Sequence, residues 1–164
     1  MLTTLHTDED DSNEKLSRQA ASFFLHSFLA LASWGALMMA GYALNPTRVS
    51  QTFVLILSIF VPLLAGSLFA RFARDEMPAH VWLIGLIWIL IVSLWVLDMP
   101  TGPNACFECG ATEKLSRTFF SFPRPSGLID DNGPFLGTWP AAALVGYSIG
   151  ARLVLRRRRR EVED

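Results

Sequence analysis

The sequence predicts an all-α, polytopic membrane protein: a four-transmembrane-helix bundle with one ordered extracytoplasmic loop. Two observations predict this class. The 164 residues are 51% hydrophobic with a mean hydropathy of +0.34, and the apolar residues form long runs. A run of about 20 apolar residues is long enough to cross a hydrocarbon layer about 30 Å thick. A soluble helix carries a polar stripe instead, so the runs favour lipid as the surrounding medium.

Four stretches have the length of a span and contain no Asp, Glu, Lys or Arg: residues 19–47, 49–70, 77–97 and 132–151. His26 is the one histidine in the first of them. These stretches divide the chain into an acidic tail (1–19), transmembrane helices 1–3 (20–98), a polar loop (99–134), a fourth transmembrane helix (135–155) and a basic and acidic tail (156–164). Within the first tail, Asp11 followed by Glu14 predicts a helix start at Asp11.

A run of five arginines follows the fourth stretch: Arg156, Arg157, Arg158, Arg159 and Arg160. Next to a span, basic residues hold that end in the cytoplasm, so we read the run as a topology anchor rather than a nucleic-acid site. With both tails inside, ten of the 14 basic residues are cytoplasmic and four lie outside. The pattern predicts a bacterial cytoplasmic membrane protein, N-in and C-in, with loop 99–134 outside. Contact with anionic phospholipid follows from the same charges.

Two sets of small residues recur every four positions and predict smooth ridges for helix packing: Ala32, Ala36 and Ala40 in the first span, and Ala142, Gly146 and Gly150 in the fourth. The spacing does not distinguish contact within the chain from contact with another protein. Trp88 and Trp95, seven residues apart in the third span, predict a face that either meets a partner, lipid or pigment or takes part in ordinary packing within the bundle. His26 is either a functional ionisable group inside a span or a neutral histidine that bonds a neighbour or reaches for the headgroups.

The loop contains both cysteines, in Cys106-Phe107-Glu108-Cys109-Gly110. Outside the cytoplasm a structural disulfide is favoured. A redox-active pair, with Lys114 or Arg117 stabilising a thiolate, and half of a metal site completed by a second chain remain alternatives. No complete metal site is predicted. Within the loop we expect one short helix, at about Thr112 to Phe119, and apolar residues that either pack on the helix ends or lie in the headgroup layer.

Four spans with an outward Cys-x-x-Cys resemble the disulfide-forming quinone reductases and the vitamin K epoxide reductase relatives. The resemblance rests on the architecture and on Cys106-Phe107-Glu108-Cys109. It implies thiol–disulfide chemistry. Those families use a second outward cysteine pair to pass electrons, and this chain has two cysteines in all.

Motifs typical of several enzyme classes are missing: there is no phosphate loop, nucleophile elbow or HExxH pair. No Asp or Glu lies deep in a span, which disfavours an ion-coupled transporter. We therefore expect a non-catalytic accessory subunit of a larger membrane complex, with a respiratory oxidoreductase as preferred host. It would have no cofactor of its own, and lipid, quinone or pigment would fill its grooves. The alternatives are a thiol-redox protein and a small channel or exporter, whose polar path would use five serines: Ser27, Ser58, Ser67, Ser93 and Ser148.

Overall fold

The computed structural model describes residues 3–44, 50–73, 75–98, 109–120 and 137–163, and these ranges contain helices and no strand. They include five α-helices: α1 (Thr3–Ala43), α2 (Gln51–Phe69), α3 (Trp82–Asp98), α4 (Ala111–Phe120) and α5 (Thr138–Glu163). A short 3₁₀ helix, Met77–His80, precedes α3. The predicted all-α class is therefore confirmed for the described part of the chain.

Three helical segments are long and apolar enough to cross a membrane: Asn13–Ala43, Thr52–Phe69 and Met77–Asp98. They coincide with the first three predicted spans and indicate a membrane protein. The fourth predicted span forms α5, which is not among these three. Its 26 residues include the arginine run and several small residues, which lower its apolar content. A crossing by α5, and with it a four-span bundle, stays a prediction.

Helix α5 occupies the centre of the fold, because it contacts each of the other four helices and the 3₁₀ helix. Its most extensive contact is with α2. Trp139, Leu144 and Tyr147 are among its fully buried side chains. On α3, by contrast, most of the large apolar side chains are exposed. A helix enclosed by protein needs small, well-packed residues rather than a lipid-facing apolar surface, and this accounts for the composition of α5.

The N-terminal part of the chain differs from its prediction. The first helix begins at Thr3, so Asp11 lies inside α1 and does not cap its start. Glu14 bonds forward to Arg18, at 2.7 Å between Oε1 and Nη2, instead of completing a capping box. An ion pair with this four-residue spacing supports helical structure, which explains why the polar segment joins the apolar one without a break.

The short helix expected within the loop is confirmed, since α4 spans Ala111–Phe120. Its apolar side pairs Leu115 and Phe119 with Val92 and Val96 of α3. The Thr138 hydroxyl donates to the Phe119 carbonyl at 2.6 Å, which connects the end of α4 to the start of α5. The described part of the loop therefore packs on the helix ends, which is one of its two predicted alternatives. Residues 99–108 and 121–136 lie outside the described ranges.

Helix α5 also extends further than predicted. The basic tail expected from residue 156 onward continues the same helix to Glu163. Arg157 pairs with Glu161 at 3.2 Å, again with a four-residue spacing, and Arg158 donates to the Ala73 carbonyl at 3.2 Å. The arginine run is thus the last part of a helix that packs against the segment between α2 and α3.

Candidate functional site

A layer of polar contacts joins α1, α5 and the segment before α3 near one end of the bundle. We call it the polar layer, and its members are Ser22, His26, Asp75, Tyr147 and Ser148. Helical spacing puts Ser22 and His26 one turn apart on the same side of α1. Tyr147 and Ser148 are neighbours on α5, in its buried middle.

His26 and Tyr147 form the buried contact of this layer. The His26 Nδ1 and the Tyr147 hydroxyl share a hydrogen bond of 2.6 Å, in which the donor depends on the imidazole tautomer. His26 is 6% exposed and Tyr147 is 0% exposed. A buried polar group without a partner costs free energy, and here each side chain supplies the other's partner. His26 is therefore a bonded histidine, as one of its two predicted readings has it.

Three further hydrogen bonds connect the segment before α3 and the start of α3 to the polar layer. The Ser22 hydroxyl donates to Asp75 Oδ1 at 2.9 Å, and the Met77 N–H donates to the same oxygen at 3.2 Å. The Trp82 N–H, at the start of α3, donates to Ser148 Oγ at 2.8 Å. The first N–H groups of a helix have no partner within it, so Ser148 satisfies one of them from α5.

Of the two predicted ridges, the one on α5 faces α2. A Cβ at Gly146 would meet the carbonyl of Ile59, and one at Gly150 would meet the carbonyl of Leu63. Gly66 makes the equivalent contact from α2, because an added Cβ there would meet the Tyr147 carbonyl. The backbones of the two helices therefore approach as closely as glycine allows. Ala142, the third member of the predicted ridge, is partly buried.

The ridge on α1 has the opposite orientation. Ala32, Ala36 and Ala40 are all exposed on the outside of the described bundle. Their large neighbours Phe28 and Met39 are exposed at 68% and 75%. The three alanines therefore form an exposed strip with little side-chain relief, which we call the alanine strip. The large side chains of Phe28 and Met39 project beside this strip.

The two tryptophans of the predicted face on α3, Trp88 and Trp95, differ in their surroundings. Trp88 is partly buried and packs on the cluster of Val92, Val96 and Phe119. Trp95 is 47% exposed. The structure thus places Trp88 beside α4 of the same chain and Trp95 on the outer surface.

The cysteine pair is described in part. Cys109 is partly exposed two residues before α4, and Cys106 lies outside the described residues. The pairing of the two therefore stays a prediction. Arg117, one of the two cations expected near the thiols, donates to Glu113 on its own helix at 2.7 Å. Lys114 lies in the first turn of α4 and is partly buried.

The five serines predicted for a polar path do not share one contact network among the described residues. Ser27 and Ser93 donate to carbonyls of their own helices, those of Phe23 and Ile89, and Ser148 accepts from the start of α3. Ser58 is fully buried, and its hydroxyl has no partner within the described ranges. Ser67 Oγ lies on the α2 side of the contact with α5, 2.9 Å from the position of an added Cβ at Gly150, so the described contacts do not join the five serines into one path.

The described residues contain no group of three or more His, Cys, Asp or Glu side chains able to hold a metal ion. The polar layer holds three segments together by hydrogen bonds between helices α1 and α5 and the segment before α3. Sequence reasoning singled out His26 but missed its partner Tyr147, as well as Asp75 and Gly66. A phenol in a predicted span, at Tyr147, was the available signal for a polar contact at that depth.

Three apolar helices around a small-residue central helix define the class as a helical membrane protein. The chain matches no protein-family model, no curated protein and no solved structure.

Proposed function

We propose that the protein is a non-catalytic accessory subunit of a multi-subunit complex in a bacterial cytoplasmic membrane. The preferred host is a respiratory oxidoreductase assembly. Helix α5 is its fourth span, both tails are cytoplasmic, and the loop that contains the cysteines is outside. The length of α5, its place among the other helices and the arginines at its end support this arrangement.

The observation that carries the proposed role is the outward orientation of the α1 ridge. Of two small-residue ridges, the one on α5 is used within the chain, and Ala32, Ala36 and Ala40 face outward. Association of helices in lipid depends on close packing, and small residues permit it. A transmembrane helix of another subunit fits the alanine strip, with its side chains between Phe28 and Met39. Lipid, quinone or pigment from the host would fill the grooves beside it.

The test is gentle detergent extraction from the native membrane, followed by mass spectrometry of the co-purifying proteins. We expect a stable set of membrane subunits with the wild-type chain, and haem or quinone subunits among them for the preferred host. Ala36→Leu should remove that set because it fills the alanine strip. Leu94→Phe adds bulk at a position on α3 that is 61% exposed and should leave the set unchanged. A wild-type chain recovered alone would refute the accessory role.

A second candidate, thiol–disulfide exchange, is favoured by the position of Cys109 just before α4. A helix N-terminus stabilises a thiolate, and this position is partly exposed. In this case Cys106→Ser and Cys109→Ser would each abolish thiol–disulfide exchange in cells. In the wild-type chain the two cysteines would cycle between the thiol and disulfide states. A purely structural disulfide would stay oxidised throughout, as alkylation and mass measurement would show.

A further inference from the structure

A cavity of about 540 Å³ lies between the last part of α5 and the 3₁₀ helix. Its lining includes two residues that precede α3 and four arginines of α5: Glu76, His80, Arg152, Arg156, Arg159 and Arg160. It is located beyond the polar layer, at the end of the bundle where α3 begins. We call it the arginine cavity.

The charge on the cavity wall is strongly positive. Arg152, Arg156 and Arg160 recur every four residues and so share one side of α5. None of these three forms an ion pair with a side chain in the described ranges. Glu76 is the one carboxylate in the lining, and it pairs with Arg159. Within the described ranges the other three arginines therefore have no carboxylate partner, and their positive charge suits an anion.

A second, smaller cavity of about 230 Å³ shares Arg152 with the first. Its other lining residues are Trp82, Val145, Ser148 and Ile149. The Ser148 hydroxyl already accepts a hydrogen bond from the backbone N–H of Trp82. The surface of the second cavity that a ligand can contact is therefore mainly apolar. Val145 and Ile149 are 41% and 45% exposed and lie one turn apart, in line with Arg152. This apolar groove continues from the arginine cavity along α5, towards the middle of the bundle.

We propose that the two cavities together bind one anionic phospholipid. Its phosphate lies against Arg152 and Arg156 in the arginine cavity, and an acyl chain lies in the apolar groove against Val145 and Ile149. A molecule with an anionic headgroup and a hydrocarbon chain fits a positively charged cavity that continues into an apolar groove. Arg152 lines both cavities, and Trp82 lines the apolar groove at the start of α3, as tryptophans near membrane interfaces commonly do. The site does not depend on whether the chain joins a larger assembly.

An anionic lipid fits better than a zwitterionic one because Glu76 is already paired with Arg159. No carboxylate of the lining is left to receive an ammonium group of a headgroup. A lipid fits better than free phosphate because the adjoining groove offers apolar surface that a soluble anion would not cover. The structure thus predicts two separable contributions to binding, one from charge and one from hydrocarbon.

The test is native mass spectrometry of the full chain in detergent with three probes: phosphatidylglycerol, phosphatidylcholine and glycerol phosphate. We expect saturable binding of phosphatidylglycerol and much weaker binding of the other two. Equal binding of phosphatidylcholine would overturn the role of charge. Equal binding of glycerol phosphate would show a soluble-anion pocket and overturn the lipid assignment.

Two sets of variants locate the site. Arg152→Gln with Arg156→Gln should weaken phosphatidylglycerol binding by about 30-fold, from the effect of two basic residues near an anionic headgroup. The matched control, Arg71→Gln with Arg157→Gln, removes the same charge outside both cavities and should change binding by less than about threefold. Val145→Phe, which fills the groove, should also weaken lipid binding. Equal losses in the double variant and its control would show that binding follows net charge and would overturn the site.

Discussion

The His26 Nδ1 lies 2.6 Å from the Tyr147 hydroxyl oxygen, and this bond joins α1 to α5 across 121 residues of sequence. Both residues are buried, so water does not replace a lost partner. Together with the contact between Ser22 and Asp75, the bond fixes the rotation of α1 relative to the rest of the bundle.

Removing the Tyr147 hydroxyl tests this bond. Tyr147→Phe should lower the free energy of unfolding by about 1–3 kcal/mol because it leaves the His26 ring nitrogen buried without its partner. The measurement is thermal or denaturant unfolding in a constant detergent. Tyr42→Phe is the matched control, since Tyr42 is 71% exposed and its loss of a hydroxyl should have little effect. Equal stability of the two variants would mean that the bond contributes nothing.

Glycine at position 150 is required by the approach of α2 to α5. Gly150→Ala places a methyl group against the Leu63 carbonyl and against Ser67 Oγ at 2.9 Å, so the helices must separate. We expect a loss of about 1–3 kcal/mol in the free energy of unfolding. In a position with open space the same change usually stabilises a helix.

Gly35→Ala provides that comparison, because an added Cβ there meets nothing within 4 Å apart from its chain neighbours and the backbone of its own helix. It should leave the unfolding temperature unchanged or raise it slightly. If Gly35→Ala and Gly150→Ala have the same effect, the close contact between α2 and α5 is contradicted.

The contact between Ser148 and the start of α3 gives a third prediction. Ser148→Ala removes the acceptor of the Trp82 N–H and should cost about 1–2 kcal/mol in unfolding free energy. Hydrogen exchange should show faster exchange at the first turn of α3. Ser93→Ala should show neither effect, because the Ser93 hydroxyl donates to a carbonyl of its own helix. Unchanged exchange at Trp82 in Ser148→Ala would contradict the assigned contact.

The sequence was sufficient to predict the helical class, three apolar spans and the short helix α4. These features depend on residues that are adjacent in the sequence, because the length of an apolar run and the position of a turn are both set locally. Both small-residue ridges could be identified in the sequence. Whether each ridge faces the inside or the outside of the bundle could not be predicted. Which side of a helix faces the protein depends on the rotation of every neighbour, so Gly146 and Ala36 could not be told apart.

The partners across helices could not be predicted for the same reason. His26 was visible as an ionisable residue in a span, but Tyr147 becomes its neighbour only when α1 and α5 pack at a particular depth and rotation. The arginine cavity likewise depends on α5 continuing as a helix beyond residue 155. The charge of the run predicted only a topology anchor. The cavity forms because Arg152 and Arg156 lie on one side of α5, next to the 3₁₀ helix.

The central claim is that four helices cross the membrane and that both ends of the chain are cytoplasmic. It is tested by labelling of single cysteines, in a Cys106→Ser and Cys109→Ser background, with a maleimide that does not cross membranes. The three reporters are Asn13→Cys, Lys114→Cys and Glu161→Cys.

We expect label at position 114 in intact spheroplasts, and at positions 13 and 161 only after the membrane is permeabilised. Label at 114 and 161 together in intact spheroplasts would show that α5 does not cross, leaving three spans. Label at 13 and 161 without label at 114 would show the inverted arrangement, and either result would contradict the claim.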